Sequence, residues 1–443
     1  MSSLSLQARH LAFGILIGGL TLASLADTPA AQAAVTASAT DDTVALLPYL
    51  SLPPVAATRQ VIAALPQVQL ARAGASVAQA RGQRLEAGVY EWNLKAGTQQ
   101  RRETTGQQYA EGELAMERSI RWGGKAEKDR ELGAAGVLAG ELGYADAWHE
   151  AVRSLIASWY GWQRERGSVA LLLQQTALAN EQLAVAQRRV KAGDAPRMDQ
   201  MTAQAELDRA MAALQQAQGR EQAQRSELQK RFPGIAIDTL STSADLSFET
   251  LQLPGDPQLW LKRILEDNHE VELAEAEFHM ARLQSERAQL DARPDPMLGV
   301  RAARERGGQE TVLGVYVTIP LAGAHRKADQ RAALALADVA EQRLHQTRQR
   351  VEAAAERAVT QASQAIAVAR RLLAVQQSMA QVAQLGIKAY GLAELTLTEA
   401  LQARRAAVEA AQAADSARWD ALEAVSRVLV DSHRLWPAEE HGR

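Results

Sequence analysis

Arg189-Val190-Lys191-Ala192-Gly193-Asp194-Ala195-Pro196-Arg197-Met198-Asp199 is a tight reversal between two stretches of helical pattern. The chain repeats it as Ala389-Tyr390-Gly391-Leu392-Ala393-Glu394-Leu395-Thr396-Leu397-Thr398-Glu399, 200 residues on. Two further anchors keep nearly that distance. Val68-Gln69-Leu70-Ala71 answers to Val271-Glu272-Leu273-Ala274, and Ile120-Arg121-Trp122-Gly123-Gly124 to Ile319-Pro320-Leu321-Ala322-Gly323, at offsets of 203 and 199. Three ordered matches with near-constant spacing mark an internal duplication.

Outward from each reversal, proline is absent over 67–195 and 321–436. Proline removes a helix hydrogen bond and clashes with the preceding turn. Its absence permits helices over 125–192 and 324–392 that would each be on the order of 100 Å long. Val169, Leu172, Thr176, Ala179, Leu183, Ala186 and Val190 recur at alternating steps of three and four. So do Leu372, Val375, Met379, Val382, Gly386 and Ala389, which is the spacing of a coiled-coil seam. Gly133, Gly136, Gly140 and Gly143 read as close helix contacts, because an interior glycine costs about 1 kcal/mol against alanine unless packing offsets it.

Before each long helix the period changes to two. Tyr90, Trp92, Leu94 and Ala96 alternate with polar residues, as do Leu114, Met116 and Ile120, with a turn around Gly106. In the second half Leu298 and Val300 flank Gly299, Gly307-Gly308 turns the chain, and Leu313, Val315, Val317 and Ile319 form one apolar face. An opening helix precedes each hairpin. The first is read over 57–87 with Gly88 as its stop, and the second from Asp256 as N-cap and Pro257 to about 292. Each half therefore reads as helix, strand hairpin, very long helix, tight turn and return helix.

Four strands of barrel-spanning length cannot close a barrel, and lipid accepts no open sheet edge, so several copies would have to pool their strands. Tyr90, Trp92 and Trp122 gather at strand ends and read as a membrane girdle. Soluble hairpins packed on helices are the alternative.

Composition narrows the function classes. Hydrophobic residues make up 47% of the 443-residue chain but aromatics only 4%, which suits long helices better than a compact enzyme core. A net charge of -3 supplies no basic field for nucleic acid. The absence of cysteine removes disulfides and thiolate chemistry. Residues 1–33 read as a secretory signal, with Arg9 and His10 before the apolar run 11–25 and Ala31-Gln32-Ala33 as the cleavage pattern. An extended segment at 34–56, a first repeat at 57–235, a linker at 236–255, a second repeat at 256–430 and a tail at 431–443 complete the expected organisation. After the signal no stretch is apolar enough for a spanning helix. No zinc-protease spacing, nucleophile elbow or cofactor loop is present, so no enzyme, cofactor or metal site is expected, and His269 reads as a solvated helix residue. An envelope hydrolase would need a reactive cleft that the sequence does not display.

The two reversals resemble the helix hairpins of TolC-like outer-membrane efflux factors. Glu394 followed by Arg404-Arg405 leans towards the branch serving heavy-metal pumps, and Val315-Tyr316-Val317-Thr318-Ile319-Pro320-Leu321 with Gly323 is similar to the family's last strand entering its helix. Ala393 stands where the family has glycine, so a differently built second turn is expected. The resemblance implies a mainly helical fold with a small β part. Three subunits would form a twelve-stranded transmembrane barrel and a coiled-coil tunnel across the periplasm. It also implies a passive duct in the bacterial outer membrane, closed at its periplasmic end until a periplasmic adaptor and an inner-membrane pump engage it. Gly193, Asp194, Asp199, Tyr390, Glu394 and Glu399 would then lie at the periplasmic tip. Their carboxylates have two readings: inward charges that favour cations, or ordinary helix caps. A soluble periplasmic scaffold and a type I secretion exit duct are the rival functions.

Overall fold

The computed structural model describes Leu46, residues 49–237 and residues 248–437; the signal read at 1–33 lies outside them. In chain order the elements are α1 (Val55–Ala64), α2 (Pro66–Ala87), β1 (Asn93–Arg102), β2 (Gln108–Ser119), α3 (Lys125–Ala192) and α4 (Arg197–Arg231). The second half supplies α5 (Pro257–Glu266), α6 (His269–Leu290), β3 (Met297–Glu305), β4 (Glu310–Thr318), α7 (Ala324–Gly391) and α8 (Leu397–Asp431). Both long helices have 68 residues and both return helices 35. The duplication is therefore structural. Val68 and Val271 each stand third in their helix, which keeps the first sequence anchor in register.

α3 pairs with α4 and α7 with α8, while α2 and α6 lie against the ends of α3 and α7 near the strands. One core sits midway along the long helices. Trp148, Val152, Leu155, Ile156, Trp159 and Tyr160 of α3 meet Val425, Val428 and Leu429 of α8, with Trp260 of α5 and Leu50 from the N-terminal side. A smaller cluster nearer the reversals joins Ala179, Leu183 and Ala186 to Leu207, Tyr390 and Leu401.

The structure corrects several sequence expectations. The first opening helix breaks at Leu65, extended at ψ 138°, because the proline that follows disfavours the helical conformation there. The second breaks at Asp267-Asn268, where the Asn268 side chain accepts the Val271 N–H and starts α6 afresh; Asp256 does cap α5, through Gln258. β1 begins at Asn93, so Tyr90 and Trp92 precede it. On α3 the seam residues Leu172, Ala179, Leu183 and Ala186 are buried as expected. On α7 the buried line is Ala383, Gly386 and Tyr390, whereas Val375 and Val382 face outward. In this alanine-rich helix two adjacent stripes offer similar apolar faces. Among the four stripe glycines, Gly133 backs directly onto Gly82, where a Cβ would come within 3.1 Å of the Gly82 Cα, and Gly140 rests on Ala75 and Ala78. Gly143 faces open space.

The four strands form one antiparallel sheet in the order β1-β2-β3-β4, so the two hairpins of the duplication lie side by side. Both outer strands have a free edge within the chain. Among the described residues no helix is long and apolar enough to cross a membrane.

Candidate functional site

Two regions hold the residues singled out in the sequence: the sheet and the paired reversals at the far end of the long helices. Register separates the sheet's faces. Leu94, Met116, Val300 and Val315 stand opposite one another on one face, followed by Ala96, Leu114, Ala302 and Leu313. Leu313 and Val315 are 79% and 78% exposed. The other face carries charge: Lys95 pairs with Glu117 at 2.7 Å, Arg301 with Glu113 at 3.0 Å, and Arg101 with both Glu111 (3.0 Å) and Glu305 (3.2 Å). The Tyr316 hydroxyl donates to Glu117 at 2.6 Å. On that face Glu111 and Glu117 are only 4% and 3% exposed. A soluble sheet buries its apolar face; here that face lies open, the inverse of the soluble arrangement, while the opposite face closes its charges into pairs.

Where the sheet joins the helices, Trp92 and Trp122 are exposed, with the Arg118 guanidinium 5.6 Å from the Trp92 ring centre. Tyr90 turns inward instead, and its hydroxyl donates to Asp295 at 2.7 Å. Asp295 also accepts from the Trp122 N–H and from Lys125, whose ammonium is buried and reaches the Arg293 carbonyl and Asp291 as well. Burial alone would raise the Asp295 carboxyl, but the donors from Lys125, Trp122 and Tyr90 outweigh it and hold the group below its ordinary range. Asp129, beside this node, accepts from Arg121 and Arg287, so α3, α6 and the end of α2 are tied at one joint. Sequence reading missed the joint, because Lys125 and Asp295 are 170 residues apart and each looks like an ordinary loop charge.

At the reversals, Gly193 has φ 83° and the Asp194 N–H returns to the Arg189 carbonyl. The second turn is built the same way, contrary to expectation. Ala393 has φ 61° and the Glu394 N–H returns to the Ala389 carbonyl. Alanine bears a Cβ penalty of roughly 1–2 kcal/mol in that conformation. Ala393→Gly should therefore stabilise the tip by about 1 kcal/mol, and Gly193→Ala should cost about as much, read as changed amide protection of the flanking helix ends. Equal protection in both variants would contradict the left-handed assignment.

The structure brings Tyr390 and Asp199 together, hydroxyl to carboxylate at 3.3 Å. Arg189 donates to the Tyr390 carbonyl at 2.8 Å and stacks 4.6 Å from its ring centre. Burial, then the charge of Asp199, pushes the Tyr390 phenol up, so it stays a donor. Glu399 closes a capping box with Thr396, which fixes its cap role in geometry, and the Thr396 donors hold its carboxyl down. Asp194 and Glu394 remain exposed at the turns. Arg404, buried, donates to the Leu178 carbonyl and Gln182 of α3, while Arg405 pairs with Glu206 of α4. All four helices at the tip are thus cross-tied within one chain.

No protein-family model and no curated protein sequence matches the chain. Solved structures do. The outer-membrane channel OprN superposes with a TM-score of 0.72 at 16% identity, over 86% of this chain and 90% of its own. The CmeC outer membrane channel of Campylobacter jejuni gives 0.71 at 12% identity (87% and 86%), and the outer membrane protein VceC of Vibrio cholerae 0.71 at 15% (88% and 100%). The chain has the TolC-like channel fold. In a TolC-like frame the inverted sheet corresponds to the strand portion and the cross-tied reversals to the far end of the helical portion. The mainly helical class with a small β part, expected from the sequence, is what the structure has.

Proposed function

We propose that three copies of this chain form a passive exit duct in the bacterial outer membrane. The observation that carries the proposal is the inverted sheet: an exposed apolar face, an ion-paired face, and two unsatisfied edges. Four strands per copy, taken three times, give a ring of twelve, within the range of outer-membrane barrels. β1 of one copy would meet β4 of the next, the apolar face would meet lipid, and the charged face would line the pore. A periplasmic scaffold would have no use for the exposed leucines and valines of β4. Trp92 and Trp122 would sit at the membrane interface.

The helices would continue the pore as a periplasmic tunnel whose tip bears Gly193, Asp194, Asp199, Tyr390, Glu394 and Glu399. The Arg189–Tyr390–Asp199 tie would hold the tip closed, and an adaptor with an inner-membrane pump would open it and supply the energy. Exposed Asp194 and Glu394 at that mouth favour cations, in keeping with heavy-metal substrates.

Single-channel recording in a planar bilayer tests the duct. Purified protein should assemble as trimers and conduct; a soluble monomer without conductance would end the proposal. Arg101→Gln with Arg301→Gln would leave Glu111, Glu113 and Glu305 without their arginine counter-charges along the pore. The cation-to-anion permeability ratio should then rise severalfold at low salt and less at high salt, where charges are screened beyond about 3–10 Å. An unchanged reversal potential would take these charges out of the lumen.

A further inference from the structure

Three of the chain's eight histidines meet at one place. The His433 ring lies 4.4 Å from that of His269 and 4.9 Å from that of His149, centre to centre, and His149 and His269 are 6.4 Å apart. His269 is therefore no solvated helix residue. The three come from different elements: His149 from the middle of α3, His269 from the first position of α6 at the α5–α6 bend, and His433 from just beyond α8, where it holds φ 55°. Each ring has one anchor. His149 Nε2 faces Asp431 at 3.4 Å, His269 Nδ1 faces Glu272 at 3.2 Å, and the His433 ring is held by the backbone of Asp267. The Nε2 of His433 is enclosed and has no hydrogen-bond partner.

The surroundings resist added charge. Trp148, Val152, Val430, Leu435 and Trp436 wall the cluster, and the space left between them, about 10 Å³, is at the lower limit for one water. The carboxylate facing His149 is already committed: Asp431 takes Arg153 at 2.7 Å and Arg427 at 2.9 Å. Burial, the largest effect, would raise its carboxyl, but the His149 hydrogen bond and then the Arg153 and Arg427 charges pull it down to about 2. α3 adds Asp146 and Glu150, and the α5–α6 region adds Asp267, Glu270 and Glu272. Asp146 is raised by burial and then by Glu270, so it offers a weakened counter-charge. Burial, then the other two imidazoles, pushes His433 down to about 4, and burial also lowers His149.

We propose that His149 and His433, packed around the His269 ring, form a proton-sensitive clasp that fastens the segment after α8 to α3 and to the α5–α6 bend while these two are neutral, and releases it as they become charged. What the clasp holds is substantial. Leu435 and Trp436 are buried in the main core, and the Trp436 carbonyl accepts from Trp148 Nε1 at 3.0 Å. The sign follows from the depressed values. A base that is harder to protonate when clasped contributes fully above its ordinary pKa near 6.5, and the contribution is lost as pH falls towards about 4. His433 alone would raise the opening constant about 30-fold at pH 5 relative to pH 7.5.

Hydrogen exchange of the full chain in detergent, at pH 7.5 and 5.0, reads the clasp directly. After correction for intrinsic rates, amides over 428–437 should lose protection about 30-fold at pH 5.0 and regain it on return. Helix amides around Gly193 should not follow. His433→Asn with His149→Gln should abolish the pH response, and His433→Asn alone should reduce it if the double variant does not fold. A pH-independent segment in the unaltered chain would overturn the clasp. So would an undiminished response in the variants, or loss of protection at pH 7.5 on adding a chelator, which would make the cluster a metal site instead.

Discussion

Lys125→Ala should lower folding stability by about 3–5 kcal/mol, the usual cost of breaking a buried pair and stranding its partner. Lys125 is 1% exposed and Asp295 8%. Without the ammonium, Asp295 keeps only the Trp122 N–H and the Tyr90 hydroxyl, neither of which carries a countercharge. The damage falls where strands become helices, so denaturant unfolding in detergent should show the loss together with a disordered hairpin base. The deficit should shrink below about pH 4, because the Asp295 carboxyl is held low in the folded chain and its contribution is present only above its ordinary pKa. Adding Asp295→Asn to Lys125→Ala should recover part of the loss, since no bare charge would then remain. An effect under 1 kcal/mol for Lys125→Ala would show that the node is solvated in solution.

Trp159→Ala should cost a similar 3–5 kcal/mol, for a different reason: a large cavity in a packed interior. The Trp159 ring is fully buried, lies 5.3 Å from that of Trp162, and donates through Nε1 to the Ser51 carbonyl at 3.0 Å. Truncation would therefore both hollow the core and loosen the N-terminal segment, which Tyr160 secures through the Leu50 carbonyl. Leu392→Ala, at a position 72% exposed, is the control and should change stability by no more than about 0.5 kcal/mol. Equal effects of the two changes in unfolding curves would mean that the midpoint core is not cooperative.

The long helices were legible because their signals are local. Proline is excluded from their interiors, Gly193 supplies the left-handed stop, and Pro196 restarts the chain. The sheet's two faces were legible for the same reason, since period-two alternation needs no knowledge of partners. The breaks in the opening helices were half hidden. Pro66 could have signalled the first, but Asn268 interrupts an otherwise continuous pattern and reveals itself only as a cap. The α7 seam was ambiguous because alanine packs on either of two adjacent stripes, so Val375 and Val382 could be placed inward by spacing yet face outward. The Lys125–Asp295 joint and the three-histidine cluster were out of reach. Both depend on residues far apart in sequence that the duplicated architecture folds onto one another.

The free edges of β1 and β4 bear on how such a chain is made. A solitary copy holds a ribbon of valines and leucines with hydrogen-bonding groups open along both margins. It is as ready to stack into fibrils as to find its proper neighbours. In the proposed duct, entering lipid and meeting sibling copies would have to be a single event, because only a neighbour's strand covers those margins.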